Sequence, residues 1–375
     1  MTIGVAILGS TGSIGCSALQ VLARQRERFK VVALTAHSNA GLLNQQASEW
    51  KPAYVGIVNG GKGEGGRGKG TSCLVEAATR DDVQIVLNGI VGAAGLEATL
   101  AALRAGKRVA LANKESLVMA GELVSEAARA GGGEIIPVDS EHSAVLQCIS
   151  GRQSRDLSRL ILTASGGPFR TWSPDQAAGA TVEQALQHPT WRMGRKITVD
   201  SATLANKALE VVEAHFLFDV AYEQVEVVVH PQSLVHAFVE FVDGSVLAQV
   251  GFPTMELPIL YALTHPERVP DTGTRRFDPL AAQSLTFEPV RAEMYPAYRL
   301  GRAAALAGGT APAVYNAANE IAVQAFLDGQ IRFGRIAEVI EVVLTSSLPA
   351  DAGSLDAVLA ADAEARRLAR EAACS

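Results

Sequence analysis

The sequence predicts an α/β protein of more than one domain that opens with a doubly wound parallel sheet and closes in helices. Three observations carry that prediction. An apolar run over residues 3–8 leads straight into glycines at Gly9, Gly12 and Gly15. Apolar runs then alternate with stretches of helical period as far as residue 138. From Ala303 onward the chain is alanine-rich with the apolar spacing of helices. At 375 residues it exceeds what one core usually fills.

The opening I-G-V-A-I-L suits a strand buried on both faces. G-S-T-G-S-I-G follows, and then a helix through Ala18, Leu19 and Leu22. Strand, glycine turn and helix in that order fit a pyrophosphate, because glycine admits a close backbone approach and the helix N-terminus receives the charge. The second strand, residues 30–35, ends at Ala36, His37, Ser38 and Asn39. An acid there would accept from a ribose 2′-hydroxyl and repel a 2′-phosphate. Hydroxyl, imidazole and amide groups can donate to that phosphate, so NADP is favoured over NAD. Further strands are expected at 54–58, 84–87, 109–111 and 135–138, with helices near 96–104 and 117–130. The glycine-rich stretch from Gly60 to Gly70 cannot bury a core and is expected as a surface linker.

Bulk properties narrow the function. A net charge of −6 argues against a nucleic-acid footprint. The four cysteines, Cys16, Cys73, Cys148 and Cys374, lack the spacing of a zinc site or a disulfide framework. No uninterrupted apolar run reaches the ~18 residues of a membrane span, and no leader pattern opens the chain. A cytoplasmic protein that binds neither nucleic acid nor membrane is expected.

Chemistry concentrates in four windows. In D-S-E-H, residues 139–142, extended backbone would point Asp139 and Glu141 together with Ser140 opposed, a spacing suited to a hard divalent cation. In T-A-S-G-G-P, Ser165 precedes two glycines in a turn able to aim a hydroxyl and N–H groups at phosphate. H-P-T-W-R-M-G-R-K, residues 188–196, joins His188, Trp191 and Met193 to three cations around Gly194. In V-D-S-A-T-L-A-N-K-A-L-E, residues 199–210, helical period places Asn206, Glu210 and Glu213 on one face with Lys207 on its flank. Leu204, Ala208, Val211, Val212 and Phe216 form the opposite, apolar stripe, and Asp200 or Ser201 is expected as the N-cap. Asp243-Gly244 between two apolar runs signals a hairpin, and an exposed strand there would call for a partner. His230 and His236 beside it are expected to be structural. A reductase using a cysteine thioester is an alternative of the same class, with Cys148 the only thiol near the right region and nothing beside it marking an activated nucleophile.

Taken together, G-S-T-G-S-I-G, L-A-N-K-E-S-L-V, P-V-D-S-E-H, G-G-P-F-R, M-G-R-K-I-T-V-D-S-A-T-L-A-N-K, H-P-Q-S and N-A-A-N-E resemble the 1-deoxy-D-xylulose 5-phosphate reductoisomerase family, in order from Gly9 to Glu320. The resemblance implies a homodimer of four-part subunits. These are a Rossmann-like NADPH domain (1–139), a central α/β catalytic domain with a dimer-forming sheet (140–274), a connecting arm (275–299) and a C-terminal helical bundle (300–375).

It further implies Asp139, Glu141 and Glu210 as ligands of Mg2+, Mn2+ or Co2+. Ser165, Ser201, Asn206 and Lys207 become phosphate anchors, with His188 closing over the substrate. Ser140 and Lys114 meet substrate hydroxyls, while Trp191 and Met193 belong to a lid, Met193 and Gly194 lying near the nicotinamide. Thr11, Gly12, Ser13 and Ile14 line the pyrophosphate turn, and Asn113, Lys114 and Glu115 the rest of the cofactor groove. Where the family often has G-K-N or G-S-N after the second strand, this chain has His37-Ser38-Asn39. The resemblance implies rearrangement of a phosphorylated sugar by retro-aldol cleavage and aldol rejoining, followed by hydride delivery from NADPH.

Overall fold

The computed structural model describes residues 2–59, 68–280, 282 and 284–374. Its contacts form two compact units, one of residues 1–116, 123–143 and 254–275, the other of residues 117–122, 144–253 and 276–375.

The first unit is built on strands β1 (Ile3–Leu8), β2 (Phe29–Ala36), β3 (Tyr54–Ile57), β4 (Gly68–Lys69), β5 (Ile85–Asn88), β6 (Arg108–Leu111) and β7 (Glu134–Pro137). They pair in the order β4-β3-β2-β1-β5-β6-β7, every pair parallel. The strand order reverses beside β1, which is where open sheets of this kind receive ligands. Val5, Ala6, Ile7 and Leu8 are fully buried, as a strand covered on both faces requires. Helices Ser13–Arg24, Ala40–Trp50, Ser72–Thr79 and Leu96–Arg104 supply the crossovers. Of the glycine-rich stretch expected as a linker, residues 60–67 lie outside the described residues. Gly68–Lys69 is instead an edge strand whose pairing with β3 satisfies its backbone.

Residues 254–275 return late in the sequence to complete this unit. Their helix Glu256–Thr264 packs on helix Ser13–Arg24 and on β6 and β7. Arg24 fixes the segment through both oxygens of Asp271, at 2.6 and 2.9 Å, and through Glu256 at 2.5 Å. A bidentate guanidinium–carboxylate pair of this kind is geometrically selective as well as charged.

The second unit carries β8 (Leu157–Ala164), β9 (Val225–Val229), β10 (Val235–Phe241), β11 (Val246–Val250) and β12 (Glu288–Pro289), in the order β11-β10-β8-β9-β12. Only β8 and β9 run parallel. The hairpin expected at Asp243-Gly244 joins β10 to β11, with Gly244 in the left-handed region. Strand β11 is the sheet's edge and exposes Val246, Leu247 and Val250. The C-terminal part folds as helices Pro296–Ala307, Ala311–Leu327, Arg335–Ser346 and Leu355–Cys374, which pack on one another. Among the described residues no helix is long and apolar enough to cross a membrane.

The expected helix around residues 199–210 is two helices, Arg195–Ala202 and Ala205–Phe218. Leu204 breaks them, with φ of 53°, and the Thr203 hydroxyl accepts from the Ala205 N–H at 3.3 Å. Asp200 and Ser201 therefore lie in the last turn of the first helix, where they cap nothing. Gly194 occupies the true N-cap position. Helix Ala205–Phe218 is buried on two sides. Ala208, Leu209 and Val212 pack into the core of the helical bundle, while Val211, Ala214 and Phe218 pack against the sheet.

Candidate active site

In the first unit the turn after β1 needs its glycines. A Cβ at Gly15 would sit 2.4 Å from the Gly9 carbonyl oxygen, so only glycine lets the helix start so close to the strand. Thr11, Gly12, Ser13 and Ile14 stand accessible at that helix start, and no acid occupies its first turn. The end is thus electropositive and open, as an anion requires. His37, Ser38 and Asn39 are all exposed past β2. Asn39 caps helix Ala40–Trp50 by accepting from the Leu42 N–H at 3.1 Å, and His37 Nε2 lies 3.1 Å from Asn59 Nδ2. Asn113 is buried and fully engaged. Its Oδ1 accepts from the Ser116 N–H and hydroxyl, while Nδ2 donates to the carbonyls of Ile90 and Gly92 and to Glu115.

Asp139 follows β7 where ligands are expected, but the extended spacing read from the sequence is wrong. Ser140 opens a helix, Ser140–Cys148, and Asp139 Oδ1 accepts from the Glu141 N–H at 3.2 Å. The carboxylate at the cap and Glu141 in the first turn both complement the helix dipole. Ser140 Oγ donates to Glu141 Oε1 at 3.1 Å. Lys114 forms an ion pair with Asp139, and both side chains are largely buried.

In the second unit Glu210 is fully buried, accepting from Asn206 Nδ2 and Lys207 Nζ, each at 2.5 Å. A buried carboxylate is tolerated only with such partners. Asp139 sits with a lysine, Glu210 with a lysine and an amide, and Glu141 with a hydroxyl, and a divalent cation would supply the same kind of compensation. The donor set is hard carboxylate oxygen throughout, which suits Mg2+ or Mn2+.

Ser165 stands just past β8, in a turn where Gly166 and Gly167 have φ of 82° and 66°. A Cβ on Gly167 would lie 2.7 Å from the Ser201 carbonyl oxygen and 2.9 Å from Ala202 Cα. That close approach draws the Ser165 turn against the end of helix Arg195–Ala202. His188 bridges the two hydroxyls, its Nε2 lying 3.0 Å from Ser165 Oγ and 3.1 Å from Ser201 Oγ. Its Nδ1 accepts from the N–H groups of Thr190 and Trp191 at 3.1 and 2.8 Å. Nδ1 is therefore the unprotonated nitrogen and Nε2 carries the proton that the two serines share. Burial pushes the imidazole pKa down to about 4, so the ring is neutral at pH 7.

Trp191 and Met193 are partly exposed in the irregular segment before Arg195, with Trp191 tilted toward His236 at 6.4 Å between ring centroids. His230 is the structural residue expected, sharing hydrogen bonds with the Thr286 carbonyl and the Leu234 N–H. Cys148 is buried in the apolar core beside the second sheet.

Two supports of the site have no local signal in the sequence. Asp200 is buried and accepts from Asn319 Nδ2 at 2.8 Å while pairing with Lys196 at 2.8 Å. The Tyr295 hydroxyl donates to the Gly166 carbonyl at 2.9 Å.

A doubly wound parallel sheet whose first strand ends in an open, acid-free glycine turn places the chain among dinucleotide-dependent oxidoreductases. Comparison with known proteins specifies which one. The model of 1-deoxy-D-xylulose 5-phosphate reductoisomerase matches residues 5–121, that of its C-terminal domain residues 135–218, and a further DXP reductoisomerase C-terminal model residues 250–368. The 1-deoxy-D-xylulose 5-phosphate reductoisomerase of Geobacter sp. (strain M21) is 50% identical over 97% of both chains. That of Pseudomonas putida (strain W619) is 49% identical over 98% of this chain and 97% of its own. The Zymomonas mobilis enzyme in complex with NADPH superposes with a TM-score of 0.91 at 43% identity, covering both chains fully. A DOX-P reductoisomerase in complex with NADPH, fosmidomycin and magnesium gives 0.93 at 39% identity over 99% of this chain and 98% of the other. The chain belongs to the 1-deoxy-D-xylulose 5-phosphate reductoisomerase family.

Proposed function

We propose that this chain carries out its family's reaction with the residues described above. That reaction is the NADPH- and divalent-metal-dependent rearrangement and reduction of 1-deoxy-D-xylulose 5-phosphate to 2-C-methyl-D-erythritol 4-phosphate. The observation that carries the assignment of residues is the cradle of Ser165, His188 and Ser201. There a neutral imidazole shares one proton between two hydroxyls at 3.0 and 3.1 Å. With Asn206 and Lys207 it forms the phosphate anchor, and the binding energy realised there orients the reacting end of the sugar.

Asp139, Glu141 and Glu210 would hold the divalent cation through their carboxylates. A cation so held supplies Lewis-acid polarisation of the substrate's carbonyl and neighbouring hydroxyl oxygens. Ser140 and Lys114 orient substrate hydroxyls. Thr11, Gly12, Ser13 and Ile14 receive the pyrophosphate of NADPH, and His37, Ser38 and Asn39 donate toward its 2′-phosphate. Asn113 and Glu115 shape the groove beside Lys114. Trp191, Met193 and Gly194 cover the sugar and nicotinamide and exclude water.

In this reading residues 1–139 serve the cofactor and 140–274 the chemistry and dimerisation, with 275–299 as arm and 300–375 as helical support. The active form is a cytoplasmic homodimer. The exposed apolar edge strand β11 supports that, since such an edge needs covering. The test is NADPH consumption with 1-deoxy-D-xylulose 5-phosphate, with and without Mn2+. Metal-dependent oxidation of NADPH is expected, and oxidation that ignores either the substrate or the metal overturns the assignment.

A further inference from the structure

We propose that Tyr295 is a positioning residue for the substrate phosphate, acting through the Gly166–Gly167 peptide on the hydroxyl of Ser165. The proposal rests on Ser165 being a phosphate anchor. The geometry is a relay through one peptide unit. Tyr295 is 2% exposed, and its hydroxyl donates to the Gly166 carbonyl at 2.9 Å. The N–H of that same peptide, on Gly167, donates to Ser165 Oγ at 3.2 Å. Because the peptide is planar, holding its C=O also aims its N–H.

The hold matters at this place. Gly166 and Gly167 both have positive φ, and glycine crosses the map more freely than any other residue. A peptide between two glycines flips readily unless something fixes it. The Ser201–Ala202 backbone limits Gly167 from one side, and Tyr295 fixes the carbonyl.

The consequence falls on Ser165. A hydroxyl offers two acceptor positions and one proton. Here the acceptor positions meet the Gly167 N–H and the Nε2–H of His188, at 3.2 and 3.0 Å. The hydroxyl proton is left to donate, and a phosphate oxygen is an acceptor. Were the peptide to flip, the Gly166 carbonyl would compete for that proton. The surrounding arm is tied to the same turn at two further points. Arg170 Nη1 donates to Glu288 at 2.6 Å, and Arg291 Nη2 donates to the Arg170 carbonyl at 2.5 Å. The segment that the sequence offers only as a connecting arm is thus a strap behind the phosphate site.

The test is Tyr295→Phe, which removes one oxygen, alone and combined with Ser165→Ala. The single variant should raise KM for 1-deoxy-D-xylulose 5-phosphate about three- to tenfold, as loss of one hydrogen bond implies, with kcat within about twofold. NADPH affinity and the thermal midpoint, both measured directly, should stay near wild type. In the Ser165→Ala background the Phe substitution should add almost nothing to KM, because the hydroxyl it acts on is gone. An unchanged KM in the single variant overturns the proposal, as does an equal factor in both backgrounds, which would mark Tyr295 as general scaffold. A Ser165→Ala variant with wild-type KM overturns the phosphate-anchor assignment itself, a distinct result.

Discussion

Replacing Gly167 with alanine tests the step that joins the two serines. The new Cβ would meet three backbone atoms, the Ser201 carbonyl oxygen at 2.7 Å, Ala202 Cα at 2.9 Å and the Ser201 carbonyl carbon at 3.1 Å. None can turn aside as a side chain would. Holding an L-residue in the left-handed region costs about 1–2 kcal/mol, and relieving the overlap by backbone movement costs about 1–3 kcal/mol more. The expected destabilisation is therefore about 2–5 kcal/mol. Whatever relief occurs moves the Ser165 turn off the end of helix Arg195–Ala202, so the hydroxyls can no longer share one imidazole proton. Urea denaturation followed by circular dichroism should show the loss in stability. KM for 1-deoxy-D-xylulose 5-phosphate should rise at least about tenfold, while NADPH affinity should change much less, because its pyrophosphate is proposed to bind at the turn of residues 11–14 in the first unit. Gly179→Ala is the control, since its Cβ would make only ordinary contacts at 3.8 and 4.0 Å and its φ is −92°. Wild-type stability and KM in Gly167→Ala would refute the reasoning, and so would an equal loss in the control.

Three other outcomes are expected. Glu210→Gln should leave NADPH binding intact while lowering Mn2+ affinity and turnover by about a hundredfold or more, measured by metal titration and initial rates; unchanged turnover would remove Glu210 from the metal site. His188, held at a pKa of about 4 against 6.5 in the unfolded chain, contributes stability that is fully present above pH 6.5 and is lost as pH falls toward 4. The partly exposed ring reduces the contribution to roughly 1–2 kcal/mol, and subtracting the pH dependence of His188→Asn from that of wild type isolates it; identical profiles would contradict the buried neutral ring. His37→Asp places a carboxylate where the 2′-phosphate is expected and should cut the preference for NADPH over NADH about tenfold or more, so an unaltered ratio of specificity constants would move that contact elsewhere.

Where a local pattern implies one environment, the sequence shows the fold directly. The run at residues 3–8 is uninterruptedly apolar because β1 is covered on both faces, and the hairpin at Asp243-Gly244 follows from the backbone that glycine permits. Strand β4 has two residues and therefore no period to detect. The break at Leu204 puts a leucine in a conformation that no local signal announces. Reading alternation into Asp139–Glu141 missed a helix start that an Asp cap followed by an acid in the first turn does announce. Helical spacing correctly grouped Asn206 with Glu210, but spacing says nothing about what covers a face, so the burial of Glu210 and Lys207 was invisible. Asn319 and Tyr295 reach their partners across more than a hundred residues, and only the folded chain brings them there.

The late return of residues 254–275 has a consequence for how the protein is made. Roughly 110 residues, including β8 through β11, separate Ser143 from Thr254, so the first unit leaves the ribosome incomplete. At about 5–20 residues per second, the faces of helix Ser13–Arg24, β6 and β7 that helix Glu256–Thr264 will cover wait some 5–20 seconds for it. Arg24 likewise waits for Asp271. A nascent chain stalled before residue 254 would present an apolar flank beside an unpaired guanidinium, the kind of surface that chaperones bind. Truncation at residue 143 would make that interval permanent, so an isolated N-terminal fragment is expected to bind NADPH weakly and to aggregate.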